Sequence, residues 1–216
     1  MDRITWGRMQ NPLRGLLHGL GAVAASCGLV ALIVQARDRT SILAAVAIFG
    51  GSLVAMFTVS ALYHSVPWSR PWKQRMQRVD HSLIFVVVAA TFTPVAVAAL
   101  DGSRRVIGLA LVWGIGAVGV ILKFVLDDER TWLSITLQMV MGVSSVLWLP
   151  LISRRLGWGA VILILGGGAA YVVGTVVFAS RRPNPFPRLF GYHELFHVLV
   201  MVGAGLHFWA IAGYVA

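Results

Sequence analysis

The chain has 216 residues, 58% of them hydrophobic and only 12% charged, with a mean hydropathy of +0.81, whereas a water-soluble domain carries about a quarter charged residues. That balance excludes an ordinary soluble enzyme. The net charge of +10 does not imply nucleic acid, because Lys and Arg gather at the ends of apolar runs, where they anchor helices and meet anionic lipid; no nucleic-acid partner is expected.

A helix needs about 20 apolar residues to cross a bilayer core about 30 Å thick. Seven such runs fit the chain, over residues 16–35, 41–64, 81–100, 106–126, 132–151, 158–179 and 192–215. The reading is an all-α, seven-transmembrane helical bundle, one domain over residues 1–216, with no room for a soluble domain. The first run follows Arg3, Arg8 and Arg14, and Ala24-Ala25-Ser26-Cys27 loosely matches a lipoprotein cleavage site. The apolar stretch continues to Val34, past that site, so it reads as a retained helix. Cys27, the lone cysteine, excludes an intramolecular disulfide and reads as packing.

The second run ends at His64 and the third opens at Asp80-His81. Pro94 and Pro150 are expected to kink or end the third and fifth helices. Glycines are dense in the fourth (Gly114, Gly116, Gly119), sixth (Gly166, Gly167, Gly168) and seventh (Gly203, Gly205) runs, as close helix packing in lipid requires. Trp68, Trp72, Trp132 and Trp158 mark helix ends at the interface. Pro183, Pro185 and Pro187 keep the sixth connection extended. Counting Lys and Arg on alternate sides gives 12 with the N-terminus, including Arg130 and Arg188, against 6 opposite. The positive-inside rule then places the N-terminus in the cytoplasm and, with an odd number of crossings, the C-terminus outside.

Ionisable residues inside such segments are costly and point to function. Here they are His18, His64, Asp80, His81, His193, Glu194, His197 and His207. His193 and His197 are four apart, so both imidazoles share one helix face and reach one ion. In the seven-helix topology His64 ends another helix at the same depth, with Ser60 one turn before it. Three neutral imidazoles plus an open position is the pattern of a catalytic zinc site, and Asp80 is placed to hold the water or orient an imidazole. His81 is turned about 100° from Asp80 on a helix and stays a reserve ligand. His207 lies about 15 Å deeper than His197, and it and His18 read as hydrogen-bonded packing residues. His193-Glu194-Leu195-Phe196-His197 also fits the zinc-protease pattern H-E-x-x-H, with Glu194 as general base.

Four stretches carry a resemblance: Ser60-Ala61-Leu62-Tyr63-His64, Val79-Asp80-His81-Ser82, Thr91-Phe92-Thr93-Pro94 and His193-Glu194-Leu195-Phe196-His197, with Leu17-His18-Gly19 near the start. Together they resemble the hemolysin III family, the bacterial branch of the progestin and adipoQ receptor superfamily that includes the adiponectin receptors. The resemblance implies a seven-helix bundle with an inside N-terminus, zinc on His64, His193 and His197 near the cytoplasmic surface, and Asp80 and Ser60 close to the zinc-bound water. Receptor relatives can carry glutamine where this chain has Glu194, which argues against an essential base there. The long N-terminal extension of the adiponectin receptors has no counterpart, so a hormone-receptor role is not expected.

The expected function is a zinc-dependent lipid amide hydrolase, ceramidase-like, with Asp80 as general base. The alternative is a non-catalytic membrane-homeostasis protein that senses lipids or fatty acyl chains and uses zinc structurally. A pore-forming cytolysin and an intramembrane metalloprotease rank below both. The expected location is the bacterial inner membrane.

Overall fold

In hydrocarbon every backbone N–H and C=O must find its partner within the chain, which a helix does within one segment. A computed structural model describes residues 11–126, 131–186 and 189–216. They form seven helices: α1 (Pro12–Ala36), α2 (Thr40–Ser65), α3 (Arg70–Ala99), α4 (Gly102–Val125), α5 (Thr131–Val146), α6 (Leu149–Ser180) and α7 (Tyr192–Tyr214). Their only β feature among the described residues is an isolated bridge between Phe186 and Phe190. Six of the helices are long and apolar enough to cross a membrane, and α5 is apolar but has 16 residues. Of the features read from sequence, Arg3, Arg8, Arg130, Pro187 and Arg188 lie outside the described residues.

Helix boundaries differ from the hydropathy reading where polar residues continue a helix. α3 starts at Arg70, not at 81, because Pro71 in its first turn fits helical φ and the following Lys, Gln and Arg favour helix. Pro94 does not end α3, which runs on to Ala99. Pro150 opens a helix instead of closing one: it sits in the first turn of α6. The helical backbone of α6 is then broken at Gly157, whose φ of 82° a side chain would oppose, so the long straight run begins at Trp158.

α3 occupies the middle, touching α2, α4, α5, α6 and α7, while α1 packs on α2 and α7, and α6 on α7. One core layer joins α1, α2, α3, α6 and α7 through Leu32, Phe49, Leu53, Val87, Val161 and Ile211. A second joins α3, α4 and α5 around Phe85, Phe92, Val112 and Met141. Phe85 is fully buried because Gly119 of α4 leaves room for its ring, and a Cβ there would collide with it. Trp113 of α4 donates its indole N–H to the Thr93 hydroxyl of α3 at 3.1 Å. The outward faces carry Val30, Val118, Ile121, Val143, Ile162 and Trp209, a rim of exposed apolar side chains that lipid would cover.

Two contacts dock α1 against the rest at one end of the bundle. The Asn11 N–H donates to the His64 carbonyl at 3.0 Å, and Gly15 lies so close to Ser65 that a side chain at 15 would clash with the Ser65 hydroxyl. Arg14, counted in the sequence as a basic flank, is instead 6% exposed, and its Nε donates to Glu194 Oε1 of α7 at 2.7 Å. At the other end Gln35 of α1 donates to the Ala212 carbonyl of α7 at 2.8 Å. Removing one member of a buried ion pair strands the other charge and costs about 3–5 kcal/mol. Arg14→Gln should therefore lower the melting temperature of the detergent-purified protein by several degrees, and Arg14→Gln with Glu194→Gln should recover most of the loss. Equal melting of the single and double variants would refute this role.

Candidate metal centre

The second helix stops where it does because of Pro67. The residue before a proline is pushed out of the helical region, and Val66 is extended (φ −78°, ψ 134°), which leaves His64 in the last turn of α2. Trp68 closes the turn by donating to the Leu62 carbonyl at 3.1 Å. The start of α7 is fixed from the opposite direction. Asn184 Oδ1 accepts the Tyr192 N–H at 3.0 Å and Glu194 Oε2 accepts the Gly191 N–H at 2.9 Å, so two of the free N–H groups at the helix start are met. His193 and His197 therefore lie in the first two turns of α7.

These ends meet. The ring centroids of His64 and His193 are 5.3 Å apart, those of His64 and His197 4.9 Å, and those of His193 and His197 5.0 Å. One nitrogen from each ring falls in a group whose members lie within 4.8 Å of one another. His64 and His197 are buried and His193 is half-buried. Beside them Ser60, 3% exposed on α2, hydrogen-bonds the half-buried Asp80 on α3. The hydroxyl donates and the carboxylate accepts, which ties α3 to α2 next to the cluster.

The donor set fits a metal ion. Three neutral imidazoles from two helices leave a coordination position open, as in zinc sites that act on a ligand. His197 Nδ1 is buried with no hydrogen-bond partner among the described residues, which is costly for a polar atom unless something else engages the ring. Aromatic rings flank the cluster: Phe178 of α6 meets His193 edge-on at 5.2 Å and Phe196 at 5.1 Å, and the Tyr63 ring lies 4.7 Å from that of His64.

The other polar residues divide. Glu194 gives one oxygen to Arg14 and the other to the Gly191 N–H, so its carboxylate is occupied in holding helices. His81 is not in the three-histidine group found among the described residues. His207 is remote from the cluster: its Nε2 donates to the Ile164 carbonyl at 3.1 Å and its ring lies 5.5 Å from Tyr171, between α6 and α7. His18 is the exception to the packing reading. Its ring stacks on His197 with centroids 3.9 Å apart, which brings α1 into the site. Arg14 and His18 are four apart on a helix with no other basic or acidic residue, and that shared face is the signal in the sequence that could have revealed both.

Comparison with known proteins shows the family to which the chain belongs. The family model described as "Haemolysin-III related" matches residues 7–208. The chain is 29% identical to the "Hemolysin-3 homolog" of Bacillus subtilis (strain 168) over 92% of this chain and 91% of that protein. It is 27% identical to "Hemolysin-3" of Bacillus cereus over 100% of this chain and 96% of that one. More distant similarity extends to the rice "Heptahelical transmembrane protein ADIPOR2", at 32% identity over 62% of this chain and 65% of the rice protein. Six long apolar helices and a family match over nearly the whole chain give the same answer: it is an integral membrane protein of the hemolysin III family, within the progestin and adipoQ receptor superfamily.

Proposed function

We propose that this hemolysin III family protein is a zinc-dependent lipid amide hydrolase of ceramidase-like type, crossing a bacterial inner membrane seven times with its N-terminus and metal centre on the cytoplasmic side. The observation that carries the proposal is the convergence of His64, His193 and His197 beside a hydrogen-bonded Ser60–Asp80 pair. A bound zinc ion would polarise the amide carbonyl and lower the pKa of a water toward neutrality. His64, His193 and His197 would hold it. Asp80, its carboxylate oriented by the Ser60 hydroxyl, accepts the proton released as water attacks. Phe178 and Phe196 pack against each other and Phe178 against His193, and this apolar wall suits an acyl chain.

The Glu194 carboxylate is held by Arg14 and the Gly191 N–H, which weighs against a metalloprotease, since a general base must be free to turn toward the attacking water. A second reading has support in one observation: Arg14–Glu194 and the three histidines tie α1, α2 and α7 at a single end. In that reading zinc is a clamp within a lipid-sensing membrane-homeostasis protein, and fatty acyl chains are ligands, not substrates.

His64→Ala, His193→Ala and His197→Ala should each lose most of the zinc measured in purified protein by atomic emission; retention of wild-type zinc in all three would sink the metal assignment. Asp80→Asn separates the two readings. A hydrolase variant should keep its zinc and lose amide turnover by about a hundredfold or more, whereas a structural clamp should leave lipid binding and zinc content unchanged. For orientation, in cells expressing protein with Cys27 replaced, a membrane-impermeant maleimide should label Ser103→Cys from outside and Ser69→Cys only after lysis. The reverse pattern would invert the topology.

A further inference from the structure

His18 has an environment that packing alone does not explain. It is 4% exposed on α1, stacked on His197 at 3.9 Å with an interplanar angle of 34°, and met edge-on by Phe57 at 5.1 Å. Those two ring contacts fix its plane without using its nitrogens. Both ring nitrogens are buried, and neither has a hydrogen-bond partner among the described residues. A neutral imidazole carries one N–H donor and one acceptor nitrogen, and burying both unmet is unfavourable. Phenylalanine would make the same two ring contacts without that cost. His18 also lies outside the group of three whose nitrogens share one ion-sized space. It is a neighbour of a ligand rather than a fourth ligand.

We propose that His18 is the hydrogen-bonding residue, supplied by α1, for the polar group of a lipid amide presented to the three-histidine centre. The requirement it sets is a matched one. Its N–H needs an acceptor and its other nitrogen needs a donor. A secondary amide brings both, a carbonyl acceptor and an N–H donor. An ester or a carboxylate brings acceptors only, so His18 favours amides over those classes. α1 thus contributes recognition, α2 and α7 hold the centre, and α3 carries the base. This inference rests on the proposed metal-dependent amide chemistry, and the test is arranged so that the two can fail separately.

The probes are a long-chain hydroxamic acid, which carries both acceptor and donor, and the fatty acid of equal length. Full-length protein in detergent is loaded with cobalt and its visible absorption is titrated with each, for wild type, His18→Phe and His18→Gln. All three should hold metal at the wild-type level. His18→Phe should weaken hydroxamate binding about tenfold and leave fatty-acid binding within about twofold, and His18→Gln, which restores a donor and an acceptor, should recover most of the loss. His18→Leu serves as the apolar variant if the phenylalanine ring does not fold. Unchanged hydroxamate affinity in the apolar variant would make His18 a packing ring and overturn the proposal. Loss of metal in it would make His18 part of the coordination itself, and overturns it equally. Wild-type protein that takes up no cobalt would overturn the metal reading beneath both, before any variant is compared.

Discussion

Glu194 holds the site end of the bundle together. Its side chain is almost out of solvent, and its two oxygens engage different elements: one the guanidinium of Arg14 on α1, the other the N–H that precedes α7. A carboxylate buried among apolar helices must be paired and hydrogen-bonded to be tolerated at all. Meeting that demand fixes the depth and rotation of α7 relative to α1. Once α7 is set, His193 and His197 face inward, and once α1 is set, His18 comes to rest on His197.

The remaining elements are brought to the same end by simpler forces. Pro67 ends α2 so that His64 falls in its last turn. α3 lies in the middle of the bundle, with glycine at 119 of α4 opening space for the Phe85 ring, and it delivers Asp80 to the edge of the cluster, where Ser60 receives it. The result is a polar centre with helices on several sides and aromatic rings over it. Such a centre can be rigid without a soluble domain, because the same packing that keeps lipid outside also limits the rotamers within.

His207 illustrates the other fate of a polar residue in such a bundle. Its Nε2 is satisfied by a carbonyl of the neighbouring helix, Ile164, and its ring fits over Gly167, where a side chain would not leave room. Glycines at helix crossings thus serve two purposes: they let backbones approach, and they give large polar rings a place to lie. His18 and His207 look alike in the sequence, each a histidine flanked on both sides by apolar residues. Only their neighbours distinguish them.

By itself the sequence determined the class of fold and the residues available for chemistry. Hydrophobic runs are a local property, so the apolar segments and their order could be read directly, and a spacing of four puts His193 and His197 on one face of any helix. Polar extensions of helices escaped that reading, because Arg70 to Val79 is helical without being apolar, and so did the role of Pro150, which depends on which side of it the helix forms. What the tertiary structure decided is which faces meet. Arg14 could have reached toward lipid headgroups or toward the interior, and His18 could have packed against any apolar neighbour. Both questions concern partners about 180 residues away along the chain, and a helix carries no local record of the rotation at which it will dock. That rotation is set by pairing Arg14 with Glu194, a contact that exists only after α1 and α7 have come together.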